Sequence, residues 1–346
     1  MSESIHAVPP FIHRQESPLV RRVPRPTARE WARHAALFLL TVLTMTLAGV
    51  LLAPDLQYLP EPTIPIPESW LDYVFFLPRF YLETVAAVVA YSVTHPALLA
   101  EGVEFAGALS FILLAHEAGH YVACRRYGVE ATLPFFVPAP PLFLAGTFGA
   151  FIKIKSPIPS RRALFDIGVA GPLAGFAALL PIAAAAILTA RPHESPLPAD
   201  GIIIFNDPPL ILAFAMLFGV QDISNIAPNP FYFAAWVGLL VTSLNLLPVG
   251  QLDGGHATYA FFGREAHRQV GRLAFLSMAA LAALGLLWHG SPSGFVYALL
   301  LVVMLRLRHP QAENEADDLG AARLLVALLT LFVFLLSFTP FPVTIK

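Results

Sequence analysis

The chain has 346 residues, of which 57% are hydrophobic and only 13% are charged. Soluble domains carry about 25% charged residues, and a globule of this size has too little interior for so many apolar side chains. The composition therefore excludes a soluble enzyme, a disordered regulator and a disulfide-stapled secreted domain, and it predicts a membrane protein. The net charge of −2 indicates no nucleic-acid partner, and the single cysteine excludes an intrachain disulfide.

Apolar runs divide the chain into predicted membrane spans. An Arg-rich tail at 1–34 precedes the first span at 35–53, which is long enough to cross roughly 30 Å of hydrocarbon, and a Pro-rich linker follows it. Residues 74–95 are apolar but contain charged residues, and we predict that this helix lies in the outer interface without crossing. Further spans are predicted at about 101–123, 164–190, 231–249, 270–288, 293–306 and 321–340.

Basic residues predict the orientation of these spans, because Lys and Arg near membrane ends mark the cytoplasmic side. The N-terminal tail, the segment after His120 and the loops around Arg268 and Arg306 are rich in them, whereas 54–100 and 191–230 each contain one. A path that obeys these charges has seven spans. We therefore predict a multi-pass protein of the inner or plasma membrane with a cytoplasmic N-terminus.

One apolar helix carries ionisable residues in a metal-binding pattern, His116-Glu117-Ala118-Gly119-His120. Histidines four residues apart share one face of a helix, where two imidazole nitrogens can reach one ion at roughly 2.0–2.1 Å. Glu117 lies beside the first histidine, where a carboxylate can take a proton from water without being a ligand. Ionisable groups inside a membrane are costly and mark functional sites. The alternative is a histidine pair hydrogen-bonded to neighbouring helices, with Glu117 as its counter-ion.

A tetrahedral catalytic zinc needs a third protein ligand and an open position. The candidate is Asp253, about 130 residues later and just after an apolar span. Helix breakers surround it and can unwind the helix so that its carboxylate points at the metal. The alternative is a plain helix end with Asp253 as a solvated cap. The breakers are Pro248, Gly250, Gly254 and Gly255.

Two neighbours of Asp253 are further candidates. His256 lies three residues beyond it, and the glycine-rich turn favours a supporting or structural role over ligation. Asn245 lies about two helical turns before Asp253. Its amide is a candidate for holding the substrate backbone or stabilising an oxyanion, and equally for an interhelical hydrogen bond.

The sequence His116-Glu117-Ala118-Gly119-His120-Tyr121, with Asn245, Pro248 and Leu252-Asp253-Gly254, resembles the site-2 protease family of intramembrane zinc metalloproteases over roughly residues 100–275. The resemblance implies a three-helix core, with His116, His120 and Asp253 as zinc ligands and Glu117 as catalytic base. It also implies an active site inside the membrane near the cytoplasmic face, and cleavage of transmembrane segments of other proteins. One departure is the stretch 191–230, which is too short for the PDZ domain that many bacterial members insert there.

Residues 147–155 have strand character and correspond to a membrane-dipping β-loop in that family. We predict Phe148, Ala150, Ile152 and Ile154 on one side, and an edge that pairs with an unwound substrate. The alternative is a hydrophobic cytoplasmic loop. Small residues at 168–175 predict close helix packing and no functional role. The candidate substrate-binding residues are Asn245, Gly149, Ala150 and Phe151.

The sequence thus predicts an all-α polytopic fold with about seven transmembrane helices. It divides into a cytoplasmic tail (1–34), a first span with outer loop and interfacial helix (35–100), a catalytic core (101–275) and C-terminal spans (276–346). The predicted activity is intramembrane proteolysis with one Zn²⁺ per chain, with transmembrane proteins and the lipid bilayer as partners. The alternatives are a metal-ion transporter and an inactive scaffold. A base beside a ligand, and glycines at only one membrane face, favour the protease over the transporter.

Overall fold

The computed structural model describes residues 25–53, 69, 71–143, 145–192, 203–220, 222–291, 293–307, 309 and 312–345. Within these ranges the fold is mostly helical, with nine α-helices and three two-stranded sheets. Most of the predicted cytoplasmic tail, the Pro-rich linker and residues 193–202 of the 191–230 loop lie outside the described residues.

Helices make up most of the described residues. In chain order they are α1 (Ala28–Leu51), α2 (Tyr73–Thr94), α3 (Pro96–Arg126), α4 (Arg161–Leu188), α5 (Pro209–Leu217), α6 (Pro230–Asn245), α7 (Asp253–His289), α8 (Ser293–Arg306) and α9 (Gly320–Ser337). The strands are β1 (Phe135–Pro138), β2 (Thr147–Phe151), β3 (Arg191–Pro192), β4 (Ile203–Phe205), β5 (Ile226–Ala227) and β6 (Val343–Ile345).

Six of the described helices are long and apolar enough to cross a membrane: α1, α2, α3, α4, α7 and α9. The predicted spans at 231–249 and 293–306 correspond to α6 and α8, which have 16 and 14 residues and fall short of that length. α2 meets the length and hydropathy of a span, although only 6% of its apolar window is buried. Its composition and length therefore give no support to an interfacial position, which stays a prediction.

The core is built around α3 and α4, with α1 and α6 packed against them. α1 and α3 approach closely because Gly49 and Gly102 meet at their contact, where a Cβ on Gly102 would lie 2.5 Å from the Thr46 carbonyl oxygen. α6 is buried along most of its length, including Trp236 and Leu239. A short, buried helix of this kind ends inside the protein, so the chain that follows it reaches the interior of the bundle.

The segment between α6 and α7 is non-helical, as the predicted breakers require. Gly250 has a φ of +55° and packs on the Met304 carbonyl. Gly254 and Gly255 have a different role from the predicted one, because they belong to the first turn of α7. A Cβ on Gly254 would lie 2.0 Å from the Leu246 carbonyl oxygen, so this glycine lets the start of α7 pack on the preceding loop.

β1 and β2 form an antiparallel hairpin at the place where the sequence predicts a β-loop. Backbone pairing continues beyond Phe151, since the Thr132 N–H donates to Lys153 O (3.0 Å) and the Lys155 N–H to Glu130 O (2.7 Å). The predicted alternation fails at one point. The register shifts between β1 and β2, and Gly149 has a φ of +100°, so β2 carries an extra residue. Phe148 is therefore exposed, whereas Ala150 and Ile152 pack on the core.

Two smaller sheets join segments far apart in the sequence: β3 pairs with β5, and β4 pairs with β6. Neither sheet, nor helix α5, was predicted from the sequence. Strands of two or three residues have no detectable alternation, so their pairing depends on where the long helices end.

Candidate metal centre

α3 supplies two imidazoles and a carboxylate to one buried site. His116 and His120 lie one turn apart, and their Nε2 atoms are 3.1 Å from each other. His116, Glu117 and His120 are 5%, 5% and 8% exposed. The arrangement follows from the helical repeat, because residues four apart share a face.

Asp253 completes the group from the first turn of α7. Its Oδ2 atom is 3.2 Å from His116 Nε2, and its Oδ1 atom is 3.3 Å from His120 Nε2. Ligands held at roughly 2.0–2.1 Å by a tetrahedral ion lie about 3.3–3.4 Å apart. Each histidine nitrogen has nearly this spacing from one of the two Asp253 oxygens, and one ligand atom from each of the three residues lies within 4.8 Å of the others. The alternative of Asp253 as a solvated helix cap does not fit this position, since its side chain is only 15% exposed.

The donor set also fits zinc chemically. Two imidazoles and one carboxylate are the ligands of a catalytic zinc that keeps one position open. Among the described residues, His116, His120 and Asp253 are the group of three that can hold a metal ion. The structure therefore brings the three predicted ligands together in one group that could hold a metal ion.

Glu117 lies beside this group without belonging to it. Its Oε1 atom is 4.0 Å from His116 Nε2, whereas the contacts between the Asp253 oxygens and the histidine nitrogens are 3.2 and 3.3 Å. The backbone N–H of Ile152 faces the same carboxylate. Glu117 thus lies between the three candidate ligands and the hairpin.

α4 holds the two histidines in place. The His120 Nδ1–H donates to the Ile167 carbonyl oxygen (2.8 Å), which leaves Nε2 free for a metal. A Cβ on Gly171 would lie 2.1 Å from His120 Nε2, and one on Gly175 would lie 3.0 Å from His116 Cβ. The small residues at 168–175 were predicted to serve packing alone, and that prediction is incomplete because two of them make room for the ligand rings.

The Asn245 amide is also in the site. It ends α6, lines the same cavity as the ligands, and places Nδ2 3.4 Å from His116 Nε2. Its position is compatible with either role left open by the sequence, because the group is near both the metal ligands and the space for a substrate.

His256 lines this cavity but lies outside the ligand group. Its Nδ1 atom is 2.8 Å from His309 Nε2. The His309 ring stacks on Tyr259 with centroids 4.2 Å apart, and the Tyr259 hydroxyl donates to Glu315. His256 is therefore supported by the chain between α8 and α9. The contact of His309 with His256 was not predicted, because no sequence motif links residues about fifty positions apart.

A cavity of about 560 Å³ opens beside the metal ligands. The hairpin forms one wall with residues 150–154, and Gln251 and Leu252 contribute another part. Two of the three predicted hairpin residues, Ala150 and Phe151, line it, whereas Gly149 does not. Ile152 was not among the predicted site residues. The Lys153 backbone is directed toward Thr132, so the neighbouring Ile152 directs its N–H and C=O to the other side of the strand, where the N–H faces Glu117.

Comparison with known proteins agrees with this geometry. Residues 104–286, more than half of the chain, match the model of peptidase family M50. The chain belongs to peptidase family M50. The matched region runs from α3 into α7 and contains all three candidate ligands, and the predicted resemblance to site-2 proteases is confirmed.

Several plant proteins are similar to this M50 member. It is 31% identical over 239 residues to a protein of Oryza sativa subsp. japonica named "Probable zinc metalloprotease EGY1, chloroplastic", covering 66% of this chain and 39% of the relative. It is 29% identical over 254 residues to the corresponding EGY2 protein of Arabidopsis thaliana, covering 71% and 43%. The chain thus spans about two fifths of the length of these curated relatives. No solved structure matches it.

Proposed function

We propose that this M50 family member is a zinc-dependent protease that hydrolyses peptide bonds in or near transmembrane segments of other proteins. The observation that carries the proposal is the buried group of His116, His120 and Asp253 with Glu117 beside it, set among apolar helices of span length. Soluble segments do not need so apolar a scaffold, so a substrate drawn from the bilayer suits this site.

The chain's own residues supply the proton transfers of peptide hydrolysis. A bound zinc ion polarises a carbonyl group and makes a neighbouring water molecule more acidic. Glu117 takes a proton from the attacking water, and it returns that proton to the leaving nitrogen as the carbon–nitrogen bond breaks. The Asn245 amide donates a hydrogen bond to the carbonyl oxygen of the substrate, where negative charge develops.

The hairpin holds the substrate as an added strand. A peptide must leave the helical state before hydrolysis, and its freed N–H and C=O groups are costly in an apolar site. Ala150 in β2 and Ile152 just after it line the cavity, where an extended segment can pair with the backbone of this edge. This binding depends on the backbone, so it tolerates many side chains and needs no PDZ domain.

The protein is proposed to have its N-terminus and the cleavage site near the cytoplasmic face of the inner or plasma membrane. Arg125 and Arg126 end α3, about one and a half turns after His120, and basic residues mark that side. The lipid bilayer and transmembrane protein substrates are the proposed partners.

Glu117 argues against the transporter alternative. A transporter passes an ion between ligand groups and has no use for a carboxylate that stands 4.0 Å from the nearest ligand nitrogen. An inactive scaffold would lack one of the required residues, and all of them are present in the site.

The test is cleavage of a tagged model transmembrane segment by the full chain in liposomes. The wild type is expected to release a fragment, and Glu117→Gln is expected to lose at least about a hundredfold in rate because the proton acceptor is gone. Glu104→Gln, on an exposed position of the same helix, is the matched control and keeps wild-type activity. Equal cleavage by Glu117→Gln and the wild type would contradict the proposal. Zinc uptake into the liposomes without cleavage would support the transporter.

A further inference from the structure

We infer that α1 determines which substrate bond is cut, because it fixes the hairpin at both ends beside the cavity. The inference rests on the proposed function. α1 lies outside the region that matches the M50 family, and none of its residues lines the cavity. Besides packing on α3, α1 contacts the hairpin, and the hairpin forms one wall of the cavity.

The open end of the hairpin is held by two residues near the start of α1. The buried His34 donates from Nδ1 to the Pro134 carbonyl oxygen (2.9 Å), and its ring lies 4.1 Å from that of Phe135. The Arg33 guanidinium lies 5.1 Å from the centre of the Phe135 ring. The first residues of β1 are thus held to α1 by a hydrogen bond and by ring contacts.

The turn end is held one and a half to two turns before the end of α1. The Thr44 hydroxyl donates to the Gly146 carbonyl oxygen at 2.7 Å, the shortest of its three contacts. Gly146 has a φ of +66°, and a Cβ there would lie 2.5 Å from Met45 Cα. The turn therefore lies directly on the α1 backbone, in a conformation that suits glycine.

These anchors are connected to the cavity wall through the register of the hairpin. Phe135 pairs with Phe151 and stacks on it at 5.5 Å, and Phe136 pairs with Ala150. Ala150, Phe151 and the neighbouring Ile152 line the cavity. A strand rises about 3.3 Å per residue, so a shift of this size along the hairpin would bring a different substrate bond to the metal. Two anchors prevent such a shift.

α1 offers a matched pair of residues for the test. Thr41 and Thr44 are both buried in the same helix, 0% and 7% exposed. The Thr41 hydroxyl donates to Leu37 O within α1, whereas the Thr44 hydroxyl reaches the hairpin. Thr44→Val removes the hydrogen bond to the hairpin, whereas Thr44→Ser keeps the hydroxyl that makes it. Thr41→Val removes a hydroxyl that has no contact with the hairpin.

The experiment maps every cleaved bond of a model transmembrane substrate by mass spectrometry and measures KM and kcat for the full chain in liposomes. Thr44→Val is expected to raise KM about threefold to tenfold, as the loss of one hydrogen bond predicts, and to cut at neighbouring bonds. Its zinc content stays at the wild-type level. Thr44→Ser and Thr41→Val are expected to cut at the wild-type bond with wild-type KM. Amide exchange at 147–151 is expected to increase in Thr44→Val alone.

Two outcomes would overturn the inference while leaving the proposed function intact. One is a wild-type cleavage pattern and KM in Thr44→Val. The other is an equal change in Thr41→Val, which would mean that α1 acts only through general stability. The proposed function fails if the wild type releases no fragment, or if Glu117→Gln releases the same fragment. The inference then fails with it.

Discussion

Two glycines on α4 let the two histidines of the site lie close against that helix. Gly171 faces the His120 ring and Gly175 faces the His116 side chain, so each histidine lies against a helix surface that has no side chain at that point. The His120 Nδ1–H bond to Ile167 O then fixes the ring by its other nitrogen. The placement of the two candidate ligand rings thus depends on the neighbouring helix as well as on the spacing of the histidines.

Gly171→Ala is expected to lose most of its bound zinc. The added Cβ would lie 2.1 Å from His120 Nε2, so the ring has to leave the ligand position. Overpacking of this kind costs about 1–3 kcal/mol and displaces side chains. Gly107→Ala on α3 is the control, because a Cβ there meets nothing within 4 Å. Elemental analysis of both purified variants is the measurement, and full zinc content in Gly171→Ala would contradict this account of α4.

For single residues, the sequence predicts which side chains of one helix lie together in the site, but it does not predict which residues of other helices contact them. His116, Glu117 and His120 can be predicted from their spacing, because the helical repeat fixes their geometry. Asp253 can be placed in the site only by recognising its own motif, which lies about 130 residues after the histidines. Gly171 and His309 contact the site across helix boundaries, and nothing in the local pattern shows which helix face they meet.

At the scale of elements, the site depends on where helices end. α6 stops at Asn245 inside the bundle, an irregular segment follows, and α7 begins at Asp253. A carboxylate in the first turn of a helix is favoured by the helix dipole and is presented outward from the helix end. The helix-breaking residues in the sequence predict this interruption. They do not predict that Gly254 is helical, because that depends on its packing against Leu246.

Ile152→Pro is expected to reduce cleavage at least about tenfold with zinc content unchanged, because proline removes the N–H that faces the cavity and Glu117. Ile152→Val keeps the backbone and most of the side chain, and its rate is expected to stay within about threefold of the wild type. Fragment release by the two variants is compared in the same liposomes. Similar losses in both would mean that the side chain, and not the backbone, holds the substrate.

At the scale of the whole molecule, the number of crossings depends on α2. The charge pattern predicts seven spans with this helix outside the count, whereas length and hydropathy place α2 among the six long apolar helices. α6 and α8 are too short for that criterion, and α6 is covered by protein rather than lipid. Hydropathy alone cannot separate a buried short span from an exposed interfacial helix, because both are apolar.

Single cysteines at positions 65 and 97 test the path of α2, in a chain from which Cys124 has been removed. Ala97 is exposed at the start of α3, whereas Leu98 beside it is buried. If α2 returns to the side on which it started, an impermeant thiol reagent labels both positions in intact cells. Labelling at 65 alone would show that α2 crosses the membrane and that the count of seven is wrong.

The zinc content of purified variants distinguishes metal ligands from the proton acceptor. The wild type and Glu117→Gln are both expected to hold about one zinc per chain, since Glu117 is a base and not a ligand. Asp253→Ala is expected to lose at least about nine tenths of it, because one of three protein ligands is gone. Asp222→Ala, an exposed aspartate outside the site, is the control and keeps its zinc. Full zinc content in Asp253→Ala, or its loss in Glu117→Gln, would contradict the assignment of these two residues.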